Sequence, residues 1–183
     1  MITKFFVEKQ LKYFPCYPKG HEETFKDVKL VGNSAGWSAC GKFVNQVLFS
    51  QVGNNKTFCE KAPCSIAGVH QPNIPENSPI YALSYLNDRI RDLGLNGAEG
   101  FTLNEIKKRA EVLCSIGMSK EPLFENNPVI CLDLAIIYGL LHDGYGIKGD
   151  RKIHSGQTIN EYETGWTLGS GLSVIETAPK FCS

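Results

Sequence analysis

Val129-Ile130-Cys131-Leu132-Asp133-Leu134-Ala135-Ile136-Ile137-Tyr138-Gly139-Leu140-Leu141-His142 is apolar nearly all the way round a helical turn. A helix with no polar face has no side to offer water and is buried. The stretch therefore predicts one long helix over 129–142, enclosed by the rest of the chain and stopped by Asp143-Gly144-Tyr145-Gly146. Working back from it, Phe101-Thr102-Leu103-Asn104-Glu105 opens a second helix. Thr102 is placed to cap it, with Glu105 three residues on as the other half of a capping box, and Ile106, Ala110 and Leu113 form its apolar face. Ile80-Tyr81-Ala82-Leu83-Ser84-Tyr85 has the composition of a buried strand and runs into the helix-like Leu86–Leu93. Ala39, Phe43, Val47 and Leu48 recur at helical spacing over 38–49, with Ser34 or Ser38 as cap, and Val28–Val31 reads as a short strand. Ser65–Pro72 reads as a short extended segment. Working forward, 152–159 reads as a strand pair or an extended arm, and Glu163–Ile175 as a final glycine-containing helix. Residues 1–27 read as an irregular lead-in, and 28–183 as one folded unit of mixed α/β class with several helices on a small sheet.

Charge narrows the function. The 183 residues carry 19 Lys plus Arg against 19 Asp plus Glu, so the basic excess of a nucleic-acid binder is absent. No stretch approaches the roughly 18 apolar residues that span a bilayer. Seven cysteines, Cys16, Cys40, Cys59, Cys64, Cys114, Cys131 and Cys182, exceed what a core of this size needs for stability. None is paired with a histidine at zinc-ligand spacing. Cys59 and Cys64 enclose a short proline-bearing loop that reads as a disulfide turn made in an oxidising compartment. The sequon Asn55-Lys56-Thr57 just before it fits the same secretory reading. The first ten residues hold no apolar run of signal-peptide length. A chain that is a piece of a longer one reconciles these two facts.

Candidate chemistry is sparse. Gly165-Trp166-Thr167-Leu168-Gly169-Ser170-Gly171 contains a Gly-x-Gly but lacks the strand and the Lys-Ser/Thr of a phosphate loop, which favours close helix packing. His142-Asp143 reads either as an acid/base pair or as a solvated helix end. Asp88, Asp133, Asp143 and Asp150 are the carboxylates open to a metal or hydrolytic role, and also ordinary surface acids. No nucleophile with a base and an orienting group is evident from spacing.

Five segments in order carry more information. They are Pro63–Pro72, Ile80–Tyr85, Phe101–Glu105, Cys131–Leu134 with Leu140–Tyr145, and Glu163–Gly169. From about residue 15 onward the chain resembles the C-terminal half of the guanosine diphosphatase/apyrase family, the nucleoside triphosphate diphosphohydrolases, and most of all its fungal Golgi guanosine diphosphatases. The resemblance implies that 28–183 is a partial C-terminal lobe of a two-lobed fold related to actin and the RNase H-like ATPases. It further implies a nucleoside diphosphate substrate and a Ca²⁺ or Mg²⁺ ion bridging the phosphates. The intact enzyme would form nucleoside monophosphate and phosphate by attack of an activated water, in the Golgi or another secretory-pathway lumen. The family's phosphate-binding patterns, Asp-x-Gly-Ser/Thr-x-Ser/Thr and Leu-Asp-Leu-Gly-Gly-Ala-Ser, have no counterpart here, nor does the segment carrying the base. No catalytic residue and no metal ligand is therefore assigned to this chain.

What the resemblance leaves is the nucleoside end of the site. The base-sandwiching positions of the family, often aromatic, fall on Asn87 and Ile130, and Trp166 matches a tryptophan near the cleft. Asp88 has the chemistry to accept hydrogen bonds from guanine N1 and its exocyclic amine. The family also implies disulfides Cys59–Cys64 and Cys114–Cys131. Cys16 pairs with Cys40 in the reading that leaves Cys182 odd, and the pairing among those three stays open. The alternative reading is a catalytically inactive luminal nucleotide-binding or regulatory module. Oligomeric state is not legible.

Overall fold

The computed structural model describes residues 13–25, 27–49, 61–159, 161–163, 167, 170, 171, 173 and 174. Strands β1 (Glu22–Phe25) and β2 (Val28–Val31) lead to helix α1 (Trp37–Phe49). After a short 3₁₀ turn at Ile66–Gly68 come β3 (Tyr81–Leu83), α2 (Tyr85–Asp92) and α3 (Leu103–Leu113). A second 3₁₀ turn, Met118–Lys120, precedes α4 (Leu123–Asn126) and α5 (Ile130–Tyr138), and β4 (His154–Gly156), β5 (Thr158–Ile159) and β6 (Tyr162–Glu163) follow. The class is mixed α/β, as read from the sequence.

The apolar stretch forms the expected central helix, but not as one regular element. Its α-helical part, α5, ends at Tyr138, and Gly139–Gly144 continues as a wider π-helical turn. The cause is tertiary. The Asn45 amide of α1 donates to the Asp143 carboxylate at 2.7 Å, and a Cβ on Gly139 would lie only 2.8 Å from Asn45 Oδ1. The backbone widens where α1 approaches it. Leu134, Ile137 and Leu141 bury the inward face of this helix against α1 and α3. Leu132 and Ile136 pack on the same core from its sides, which accounts for the missing polar face. The capping box of α3 forms as expected: the Glu105 amide donates to Thr102 Oγ1 at 3.2 Å and the Thr102 amide to Glu105 Oε2 at 2.8 Å.

Five expectations are corrected. The small sheet is, among the described residues, three separate two-stranded ladders, with β1–β2 and β5–β6 antiparallel and β3–β4 parallel. Glu22–Phe25, inside the stretch read as irregular, is a strand registered on β2 with Glu22 opposite Val31. Ile66–Gly68, inside the segment read as extended, is a 3₁₀ turn. Ser34 does not cap α1, because its hydroxyl accepts from the Lys19 amide and donates to the Ile116 carbonyl. Of the expected last helix, Thr167, Ser170, Gly171, Ser173 and Val174 are helical, Glu163 belongs to β6, and the remaining residues lie outside the described ones.

Disulfides join Cys16 to Cys40 and Cys114 to Cys131, with Cα atoms 4.6 and 5.6 Å apart. Cys64 is also disulfide-bonded. Cys59, Cys182 and the sequon asparagine Asn55 lie outside the described residues. The Cys16–Cys40 bridge ties the segment before β1 to α1. In the same region a Cβ on Gly32 would overlap the Pro18 carbonyl oxygen and sit 2.8 Å from Tyr17 Cβ. Gly32→Ala is expected to lower unfolding free energy by about 2 kcal/mol, the cost of overpacking against backbone that has nowhere to go. An unchanged urea midpoint would show that this corner yields easily.

Candidate functional site

β3 ends at Leu83, and the chain turns into α2 through Ser84, which holds φ 56° and ψ −126°. A serine at positive φ is strained by about 1–3 kcal/mol and persists only where its surroundings fix it. β3 and β4 are parallel, with Tyr81 opposite His154, Ala82 opposite Ser155 and Leu83 opposite Gly156. Their carboxyl ends therefore open on one edge. The first turn of α2 stands there.

On this turn Tyr85 is 44% exposed, yet it is held at two points. Its phenol donates to the Asp133 carboxylate on α5. The Arg89 guanidinium lies 5.2 Å from its ring centroid. Arg89 Nη1 also pairs with Asp92 Oδ2 at 2.9 Å and approaches Asp133 Oδ2 at 3.8 Å, the Arg89 and Asp133 side chains being only 20% and 15% exposed. Arg89 Nε is buried with no hydrogen-bond partner among the described residues. Burial pushes the Asp133 carboxyl above the usual carboxylate range, against the pull of the Tyr85 hydroxyl and the Arg89 charge. Burial, and then the bond to Asp133, raise the Tyr85 phenol well above its ordinary value. The phenol thus stays a neutral donor at every physiological pH.

Of the sequence-predicted residues, Asn87 and Asp88 both neighbour Arg91, and Ile130 is enclosed in the core. Asp88 is 46% exposed beside Arg91, whose Nη2 is 3.7 Å from Asp88 Oδ1. Asn87 lines a separate hollow of about 440 Å³ with Arg91, Asn96, Gly97 and Ser155. Ile130 is 0% exposed. A side chain wholly inside the core has no face to give a base, so the structure places Ile130 in packing rather than in stacking. Trp166 lies outside the described residues. Tyr85, Arg89 and Asp133 form the best-defined cluster at this edge. The i,i+4 spacing of Tyr85 and Arg89 signals their contact in the sequence. Their shared partner on α5 has no local signal.

The other acids are engaged elsewhere. Asp143 accepts from Asn45 and from His142 Nδ1 at 2.6 Å, and the His142 ring stacks on Tyr138 with centroids 4.9 Å apart. Asp150 is exposed. A hollow of about 590 Å³ between 63–76 and 143–151 is braced by Lys148–Glu76 at 2.6 Å. Arg151 there donates to the carbonyls of Pro75 and Ser78, each at 2.6 Å. These contacts hold the connector in place. No group of three or more His, Cys, Asp or Glu among the described residues is arranged to hold a metal ion.

The sequence profile of the GDA1/CD39 (nucleoside phosphatase) family matches residues 4–182. The chain is 34% identical to a guanosine-diphosphatase of Saccharomyces cerevisiae over 70% of its own length and 27% of the relative's. It is 31% identical to a guanosine-diphosphatase of Candida albicans over 88% of this chain and 31% of that one. It is 26% identical to the human nucleoside diphosphate phosphatase ENTPD5 over 69% of this chain and 30% of that one. The chain thus spans about a quarter to a third of the length of the curated relatives it matches.

Proposed function

The chain belongs to the GDA1/CD39 nucleoside phosphatase family, and from that premise we propose that it supplies the nucleoside-holding end of a nucleoside diphosphatase. In this reading the reaction converts GDP or UDP to the monophosphate and phosphate. The fold is part of the second lobe of a two-lobed, actin-like enzyme. The work takes place in the lumen of the secretory pathway, for which the disulfides at Cys16–Cys40 and Cys114–Cys131 speak. Among the described residues no helix is long and apolar enough to cross a membrane.

The observation that carries the reading is the edge formed by β3, β4 and the first turn of α2, where the half-exposed Asp88 carboxylate, beside Arg91, and the pinned Tyr85 ring lie within one helical turn. This chain's part is to bind and orient the nucleoside. Ca²⁺ or Mg²⁺ would neutralise phosphate charge in the intact enzyme, and no step of that kind is assigned to residues of this chain. Asp88 selects the base: guanine presents N1–H and an exocyclic amine side by side, which one carboxylate accepts together, whereas uracil offers a single N–H.

Titration of the chain with GMP and UMP, followed by NMR or calorimetry, tests the reading. GMP is expected to bind more tightly, and Asp88→Ala to weaken GMP about tenfold, the scale of hydrogen bonds to a charged group, with little effect on UMP. Equal loss for both nucleotides would remove Asp88 as the selector. Absence of binding by either would overturn the nucleoside site.

A further inference from the structure

We infer that the disulfide at Cys64 is a thiol-exchange site, the bridge of this chain that an external dithiol opens and recloses, and that the His70 imidazole favours the Cys64 thiolate during the exchange. The site is independent of the nucleoside reading. Access is its first support. Cys16, Cys40, Cys114 and Cys131 are each 5% exposed or less, so an incoming sulfur does not reach their bridges while the fold is intact. Cys64 is disulfide-bonded as well, but it is exposed. It also lines the hollow of about 590 Å³ between 63–76 and 143–151, which gives an incoming thiol room. Exchange begins with a thiolate reaching a disulfide sulfur, and exposed bridges are the labile ones.

The second support is the geometry around the sulfur. Cys64 and His70 stand directly opposite each other in an antiparallel bridge. The flanking bonds, Ser65 amide to Val69 carbonyl at 2.7 Å and Gln71 amide to Pro63 carbonyl at 2.9 Å, make them the close, non-hydrogen-bonded kind of pair, with side chains on one face. Both side chains meet at one atom: Cys64 Sγ lies 3.9 Å and His70 Nδ1 2.8 Å from the Lys61 carbonyl oxygen. Nδ1 also faces the Pro63 carbonyl oxygen at 3.1 Å. Carbonyl oxygens only accept, so Nδ1 carries a proton and the ring is held with that N–H beside the sulfur. An imidazolium next to a cysteine favours its thiolate. Exchange then takes two displacements. One thiolate of the dithiol attacks Cys64 Sγ, forms a mixed disulfide there and releases the partner cysteine as a thiolate. The second thiolate of the same dithiol attacks the outer sulfur of the mixed disulfide, closes the dithiol into its own disulfide and expels Cys64 as a thiolate. The dithiol loses two electrons and the bridge gains them, while the two cysteine thiolates take up the protons that the dithiol gave to water.

The test exposes the whole chain to dithiothreitol at neutral pH without denaturant, quenches samples with iodoacetamide and maps the alkylated peptides over time. Alkylation of Cys64 is expected about tenfold sooner than that of Cys16, Cys40, Cys114 or Cys131. His70→Gln, which keeps an N–H donor for the two carbonyls and removes the charge, is expected to slow the opening at Cys64 about fivefold, and His70→Arg, which puts a charge back, to recover it. The chain alkylated at Cys64 is expected to keep the far-ultraviolet circular dichroism of the untreated chain, because the buried bridges stay closed. A buried bridge opening first, or all bridges opening at one rate, would overturn the exchange site. A collapsed spectrum on opening at Cys64 would make that bridge structural and overturn the site too. Selective opening at Cys64 with His70→Gln unchanged would overturn the part given to His70.

Discussion

Joint replacement of Cys114 and Cys131 by alanine is expected to lower the unfolding free energy by about 3 kcal/mol. The bridge closes a segment with a sequence separation of 17, and a loop of that size constrains the unfolded chain by about 3 kcal/mol on chain-entropy grounds. Native packing adds to the loss. Cys114 caps the end of α3 and Cys131 sits in the first turn of α5, both buried, so alanine leaves space between the two helices that carry most of the core. A domain of this size has about 5–15 kcal/mol in total, so the pair accounts for a substantial share. Cys16→Ala with Cys40→Ala, closing a separation of 24, is expected to cost a similar amount. Urea unfolding of the two double variants measures both, and a loss below about 1 kcal/mol at Cys114–Cys131 would show that α3 and α5 hold each other without the bridge. Expression in a reducing compartment, where the bridges do not form, should reproduce the deficit.

What could be read from the residues was whatever is written locally. The helix beginning at Leu103 announces itself through Thr102 and Glu105, and both halves of the box form. The strand Glu22–Phe25 carries no such mark. All four of its residues are exposed, no alternation betrays them, and they are held by backbone pairing to β2 across a turn in which Asp27 takes φ 66°. The change from α to π helix at Gly139 is likewise invisible, because Asn45, which approaches it, lies on a different helix. The site divides in the same way. The spacing of Tyr85, Asp88 and Arg89 is a helical pattern that a sequence displays. That Asp133 accepts from Tyr85, and that Ile130 faces inward, follows only once α2 and α5 are brought together. A base-stacking role for Ile130 follows from its place beside Cys131 in a family pattern, whereas its burial is decided by packing that such a match does not contain.

The largest effect expected concerns turnover. Incubated alone with GDP and Mg²⁺, the 183-residue chain is expected to release phosphate no faster than buffer does, far below the roughly 1–10³ s⁻¹ at which ordinary enzymes work. Hydrolysis of a phosphoanhydride needs donors that grip the phosphoryl oxygens, a cation that spreads the developing charge, and a base that aligns the water. Preorganised charge of this kind supplies most of the rate in such reactions. None of the three is furnished by the residues described. Asp133 is occupied by Tyr85 and Arg89, Asp143 by Asn45 and His142, and Asp88 faces Arg91. No three metal-ligating side chains come together among the described residues, and neither phosphate-binding pattern occurs anywhere in the sequence. Loss of all three contributions at once is not made good by holding the nucleoside well, since an interaction equal in ground and transition states adds affinity without rate. The decisive measurement pairs a phosphate-release assay with a GMP titration on the same preparation. Binding of GMP with phosphate release at the buffer rate is the expected result, and a turnover above about 1 s⁻¹ would mean that this chain carries catalytic groups which neither its motifs nor its described acids reveal.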